Sequence, residues 1–291
     1  MLRFVEGTND TEARPPVPTL ACEVSGEGPP VVLLHGVGGG RNNWRRQRQS
    51  LQGSFTTFAW DARGYGDSGD VPGPRHFSDF GDDLERLLNH FAIEQAHLVG
   101  LSMGARILME FASRRLDRVA TLTLCDCFYG FRNALSPEKQ AEYIELRERP
   151  LQEGKTFADL APKLIESLVG PRASEEARAE LRDSLLALRA ESYLKTIRAS
   201  VTFNQADELH ALAVPVQLIF GAEDRLTPPS IGYEMLDLLP DATLAVLDDA
   251  GHLANLEAPE AFNHVLASFL ARHRDRASFR AVVQSPPKGS R

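Results

Sequence analysis

Ser102 lies in Gly100-Leu101-Ser102-Met103-Gly104, with a glycine two residues away on either side. A strand that turns abruptly into a helix needs residues without a Cβ at those two positions, and the serine between them is lifted above the sheet edge with its hydroxyl exposed. Such a string arises by chance in roughly one chain in ten of this length and composition. Its weight comes from its setting, because an apolar strand pattern ends on it and a helical pattern starts from it. A serine hydroxyl is a poor nucleophile until a base takes its proton, and a neutral imidazole steadied by a carboxylate is the common solution at neutral pH. His252, in Asp248-Asp249-Ala250-Gly251-His252 directly after the last strand pattern, is the candidate base. Of the other histidines, His90, His97, His210, His264 and His273 fall on helices or strand starts, and His76 falls in a polar loop.

His35 opens His35-Gly36-Val37-Gly38-Gly39-Gly40, after the first strong strand pattern. A glycine-rich turn there lets backbone N–H groups converge on a developing oxyanion, with Val37 and Met103 as the candidate donors. A phosphate-binding turn is the competing reading, but Arg41 stands where G-x-G-x-x-G requires its third glycine. For the carboxylate, Asp224 has the chain order Ser, Asp, His, while Asp126, at the end of the strand pattern after the serine helix, is the alternative acid. Asp248 and Asp249 precede the histidine too closely to turn back onto its ring. Trp44, just past the glycine-rich turn, is a candidate pocket residue, with a core position as its rival; Arg63 and Asp67 read as loop braces.

These residues need a scaffold that brings distant loops to one edge. Apolar runs at 31–35, 56–61, 97–101, 120–126, 215–221 and 242–248 alternate with helical patterns. In the stretch 79–91, Leu84, Leu87, Leu88 and Phe91 form one apolar stripe with carboxylates opposite, the mark of a helix covering a sheet. The expected fold is α/β: a mostly parallel sheet covered by helices on both faces, with the candidate loops at the strands' C-terminal ends. Between 130 and 212 charged helical segments follow one another without a convincing strand, started by Ser136-Pro137-Glu138, by Thr156 with Asp159, and by Ser174-Glu175-Glu176. The expected organisation is a core of 1–129 and 213–272, an inserted helical cap of 130–212, and a flexible basic tail of 273–291.

Composition narrows the partners. The 291 residues carry 32 Lys and Arg against 40 Asp and Glu, a formal charge of −8, which lacks the electrostatic footprint of a nucleic-acid binder. Cys22, Cys125 and Cys127 do not form a fully paired framework and read as reduced cytosolic thiols. The first residues, with Glu6, Asp10 and Glu12, do not resemble a secretory signal, and no apolar run reaches the length of a membrane span. The expectation is a soluble cytoplasmic protein that acts on a small molecule, with homo-oligomerisation left open.

Taken in order, the glycine-rich turn, the serine elbow, the acid and the histidine resemble the α/β-hydrolase fold from about residue 20 to 272. Asp61-Ala62-Arg63-Gly64-Tyr65-Gly66-Asp67-Ser68 is similar to the D-x-R-G-x-G-x-S loop of many members. Gly221-Ala222-Glu223-Asp224-Arg225-Leu226-Thr227-Pro228 resembles the segment that supplies the acid, and Ala250 to Pro259 resembles the histidine loop. Within the fold, Gly-Leu-Ser-Met-Gly, Asp-Arg-Leu-Thr-Pro-Pro and His-Leu-Ala-Asn-Leu-Glu resemble 3-oxoadipate enol-lactonases and related carboxylic-ester hydrolases, although Ala105 stands where those enzymes usually have a further glycine. The resemblance implies an ester or lactone hydrolase working through Ser102, Asp224 and His252, with no metal or organic cofactor. Two alternatives stay open: a carbon–carbon bond hydrolase of a vinylogous 1,5-diketone, whose members often have a tryptophan where this chain has Leu253, and a non-catalytic ligand sensor. If the substrate is carboxylated, a chain of net charge −8 must supply local cations, and Arg132, Arg189 and Arg198 at the edges of the cap are the candidates, with solvated helix faces as their rival reading.

Overall fold

The structure, a computed structural model, describes residues 1–8, 16–130 and 136–280. The chain forms β1 (Leu2–Val5), β2 (Leu20–Ser25), β3 (Pro30–Leu34), α1 (Arg45–Leu51), β4 (Thr56–Trp60), α2 (Ser78–His90), β5 (Ile93–Leu101), α3 (Met103–Arg114) and β6 (Val119–Cys125). Four helices follow, α4 (Pro137–Gln152), α5 (Phe157–Leu168), α6 (Glu175–Leu186) and α7 (Ala190–Ser200). The core then resumes with β7 (Val216–Gly221), α8 (Pro229–Leu238), β8 (Ala242–Leu247), the single turn α9 (Ala254–Glu257), α10 (Pro259–Arg272) and β9 (Ser278–Phe279).

The main sheet runs β1-β2-β4-β3-β5-β6-β7-β8. From β4 to β8 every pairing is parallel, and the strands PVVLL and VATLTLC are buried along their whole length, as a sheet covered on both faces requires. One face packs under α2, α3 and α8 around Leu84, Leu87, Ile107 and Phe220. The other packs under α1 and α10 around Trp44, Phe262 and Phe269. β1 and β2 add antiparallel at the edge beside β4. They carry no strong alternation and were not apparent from sequence pattern.

The cap helices begin where the sequence marks them. Ser136 accepts from the Lys139 N–H, Thr156 and Asp159 form a reciprocal capping box, and Ser174 accepts from the Ala177 N–H. A polar clasp fastens α7 to the core loop 61–75. Arg75 donates to Thr196 Oγ1 (2.7 Å) and to Asp70 (2.5 Å), Ser192 Oγ donates to Asp70 Oδ2 (2.6 Å), and Lys195 Nζ reaches the Val71 carbonyl (3.0 Å).

The segment after α10 departs from the expected flexible tail. Ser278 and Phe279 pair antiparallel with the start of β5, the Arg280 N–H donates to the Ala92 carbonyl (2.7 Å), and Phe279 packs against Phe58. One aromatic residue and one buried alanine, Ala277, anchor a stretch whose arginines dominate its composition. Residues 281–291 of the expected tail lie outside the described residues. Among the described residues no helix is long and apolar enough to cross a membrane.

Candidate active site

β5 ends at Leu101, and Ser102 turns the chain into α3 with φ 52° and ψ −109°, a left-handed backbone that non-glycine residues seldom adopt. Both elbow glycines are required by close approach. A Cβ on Gly100 would lie 2.5 Å from the Ala105 nitrogen, and one on Gly104 would lie 2.1 Å from the Leu34 carbonyl oxygen. The Ser102 N–H is held by the Cys125 carbonyl (2.8 Å), so the strained residue is pinned between two strands while its hydroxyl faces a cavity.

His252 arrives on the loop after β8, and its Nε2 lies 3.0 Å from Ser102 Oγ. On the other side of the ring Nδ1 lies 2.8 Å from Asp224 Oδ2. Asp224 is buried and also accepts from the N–H groups of Leu226 (2.8 Å) and Thr227 (3.0 Å) and from Thr227 Oγ1 (2.6 Å). Burial alone would raise its pKa, but the bond from His252, the charge of that ring and the Thr227 bonds outweigh it and hold the carboxyl below the ordinary aspartate value. Glu257 fixes the histidine loop by accepting from the N–H groups of Gly170, Gly251 and Leu253. Neither Thr227 nor Glu257 stood out in the sequence as a positioning group, although both lie inside the acid and histidine strings.

Asp126 does not meet the histidine among the described hydrogen bonds. Its oxygens accept from the Gly221 N–H (2.8 Å) and the Ala254 N–H (3.2 Å), tying the ends of β6 and β7 to α9. Full burial, reinforced by the charge of Asp224, pushes its carboxyl well above the usual range.

The glycine-rich turn folds over Ser102, with Gly36 so close that a Cβ there would lie 3.2 Å from Ser102 Cβ. Among the described residues no backbone hydrogen bond takes up the N–H of Val37 or of Met103. His35 braces the turn. The Ala62 N–H donates to its Nε2 (3.0 Å), so Nδ1 carries the proton given to the Gly36 carbonyl (2.8 Å), and burial holds the ring neutral. Asp61 completes the brace by accepting from the Arg41 and Asp67 N–H groups, while Arg63 pairs in two bonds with buried Asp83.

Ser102 and His252 open onto a cavity of about 870 Å³ between the sheet edge and the cap, lined also by Gly36, Val37, Arg106, Tyr143, Arg147, Leu168, Tyr193 and Leu226. Three expectations about its walls are corrected. Trp44 is fully buried against Phe262 beneath the turn and does not line the cavity. Arg189 braces the core by donating to the Ser68 carbonyl (2.7 Å) and the Gly64 carbonyl (3.3 Å), and Arg198 pairs with Glu148 on the cap's outer side. Arg132 lies outside the described residues. Arg106, Lys139, Arg147 and Arg225 do line the cavity, and the pattern of α3, charged at Arg106 and again at Glu110, did not single Arg106 out in the sequence.

Among the described residues no cluster of ligating side chains suited to a metal ion occurs. The model of the alpha/beta hydrolase fold matches residues 29–259 of the chain. The 3-oxoadipate enol-lactonase 2 of Acinetobacter baylyi is 26% identical over 245 residues, covering 84% of this chain and 89% of that protein. A protein of Azorhizobium caulinodans named for carbamate hydrolysis (RutD) is 29% identical, covering 86% of this chain and 94% of its own length. Among solved structures, a thermophilic esterase from Thermogutta terrifontis with malate bound superposes with a TM-score of 0.82 at 31% identity, covering 88% of this chain and 94% of that one.

Proposed function

The chain belongs to the alpha/beta hydrolase fold family, and from that premise we propose that it is a serine hydrolase cleaving an ester or lactone of a small metabolite through an acyl-enzyme. The observation that carries this reading is the continuous chain of hydrogen bonds from Ser102 through His252 to Asp224, open to the cavity beside two N–H groups with no backbone acceptor.

In this reading Ser102 Oγ adds to the carbonyl carbon while its proton passes to His252 Nε2. The negative charge that forms on the carbonyl oxygen is met by the Val37 and Met103 N–H groups. Collapse of the tetrahedral adduct breaks the bond to the leaving oxygen, which takes the proton back from Nε2. Water then adds to the acyl-serine with the same imidazole as base, releasing the acid and restoring Ser102. Asp224, ionised throughout, keeps the proton of the free imidazole on Nδ1 and offsets the charge of the imidazolium. The buried, unpaired cysteines support a cytoplasmic location.

The test is the burst of p-nitrophenol from a short p-nitrophenyl ester. Wild type is expected to release a burst close to one equivalent, and Ser102→Ala is expected to show none and to lose on the order of 10⁴ or more in rate. Ser102→Ala activity above roughly a hundredth of wild type overturns the assignment. An intact cavity that binds ligands without any turnover would favour the ligand-sensor reading.

A further inference from the structure

We propose that Arg106 is an anion subsite of the cavity, and that the acyl part of the natural ester or lactone carries a carboxylate that seats on its guanidinium. This rests on the hydrolase reading above and goes beyond it by naming what the acyl chain must bear. Arg106 stands one helical turn after Ser102, its N–H bonded to the Ser102 carbonyl (3.1 Å). Side chains on a helix lean toward its N-terminus, so the guanidinium reaches back to the serine's end of the cavity, which it lines.

Arg106 is only 6% exposed, and no carboxylate or other side-chain hydrogen-bond partner meets its guanidinium among the described residues. That sets it apart from the other buried arginines. Arg63 is paired with Asp83, Arg75 with Asp70, and Arg118 gives its N–H groups to the Ile93 and Glu94 carbonyls. A buried charge is normally paired, because leaving it bare in a low-dielectric setting is unfavourable. The rings of Phe77, Phe128 and Phe203 stand 5.4, 5.0 and 5.6 Å from Arg106 Cζ and stabilise the cation by their faces. They accept none of its five N–H donors, and a planar carboxylate does. The carboxylates that line the cavity, Glu142 and Glu234, are exposed, and Glu234 takes the Tyr129 hydroxyl.

The acyl side follows from the position of His252. The leaving oxygen must depart beside His252 Nε2, which protonates it, whereas the groups around Arg106, namely Phe77, Phe128, Phe203, Tyr65, Cys127 and Tyr143, include none from the 248–257 loop. The one-turn separation suits an acyl chain of a few carbons.

The experiment compares kcat/KM for the p-nitrophenyl half-ester of glutaric acid with that for its uncharged terminal amide. Wild type is expected to prefer the charged ester. In Arg106→Met the charged-to-neutral ratio is expected to fall by about ten- to a hundredfold, and in Arg106→Lys by less. A structural role alone would lower both substrates together and leave the ratio in place, which overturns the proposal, as does a wild-type ratio at or below one. That wild-type measurement decides even if Arg106→Met fails to fold. Glutarate binding to Ser102→Ala, followed by calorimetry, needs no turnover. Binding that is lost on adding Arg106→Met supports the subsite even where no ester is hydrolysed and the hydrolase reading has failed, and no binding to Ser102→Ala overturns it.

Discussion

Asp224 and Asp126 are both buried carboxylates at strand ends, yet their partners assign them different work. Asp224 faces the imidazole and holds its Nδ1 proton, so Asp224→Asn is expected to cost roughly 10³ to 10⁴ in kcat/KM by favouring the wrong tautomer. Asp126→Asn replaces a carboxyl already pushed toward its neutral form; it keeps an acceptor for the Gly221 N–H and loses the one for Ala254. The expected outcome is a rate within about tenfold of wild type and a melting midpoint lowered by an amount corresponding to 1 to 3 kcal/mol, roughly the desolvation penalty of an unmet buried N–H. Steady-state kinetics and thermal melts of the two variants check the order, and a reversed order would move the acid to Asp126. The serine, histidine and Asp224 were legible because each sits in a string that a strand-to-helix turn or a strand-end loop imposes. The pocket cations were not legible, because whether an arginine is paired is decided by residues far away in the chain. Arg189 and Arg198 are consumed by Ser68 and Glu148, and only the packed structure shows Arg106 left without such a partner.

At the scale of elements, the strand runs and helix starts could be read in advance because buried parallel strands are continuous apolar runs and N-caps need specific side chains. What escaped were β1, β2 and β9, short or half-exposed strands whose identity comes from the neighbour they pair with. Removing residues 277–291 is therefore expected to destabilise the protein by about 1 to 2 kcal/mol through loss of the β9 pairing and the Phe279 contact, whereas removing 281–291 leaves those interactions in place. Urea unfolding of the two truncations separates them. The same region predicts an acid sensitivity. His97, fully buried on β5 with Nδ1 2.8 Å from Thr121 Oγ1, has its pKa lowered by burial from 6.5 to about 4. Between those two values the unfolded chain binds a proton that the folded chain refuses, so stability is lost as pH falls through that window and rises again with pH. The full effect is about 3 kcal/mol. His97→Gln is expected to flatten the difference between urea midpoints measured at pH 7 and at pH 4.5.

At the scale of the whole molecule, the Asp70, Arg75 and Ser192 clasp is one of the polar contacts by which the cap helices meet the core, beside those of Arg189 with the Gly64 and Ser68 carbonyls and of Gly170 with Glu257. Burial would raise the Asp70 pKa, but the Ser192 hydroxyl and the Arg75 guanidinium more than offset it, so the carboxylate stays charged to below its ordinary range. Arg75→Ala removes the 2.5 Å ion pair of Asp70, leaving it only the longer one to Lys195 (3.7 Å), and takes away the donor to Thr196 Oγ1, so α7 is expected to dock more loosely over the cavity. The expected reading is a KM raised by about tenfold or less with kcat nearly kept, together with faster limited proteolysis within residues 137–200. Equal loss in both kinetic constants without a change in proteolysis would show that the clasp does not govern the cap. The reach of the serine–histidine bond has a further consequence, for the order in which the protein is made. Ser102 and His252 are 150 residues apart in the chain, so the proposed nucleophile is synthesised long before its proposed base. A nascent chain that has passed the elbow but not the final loop holds an inert hydroxyl, safe from acylation by the esters and thioesters of the cell until β7, β8 and α9 have docked. Ribosome-arrested chains ending before residue 252 are accordingly expected to escape fluorophosphonate labelling at Ser102, and full-length chains to react.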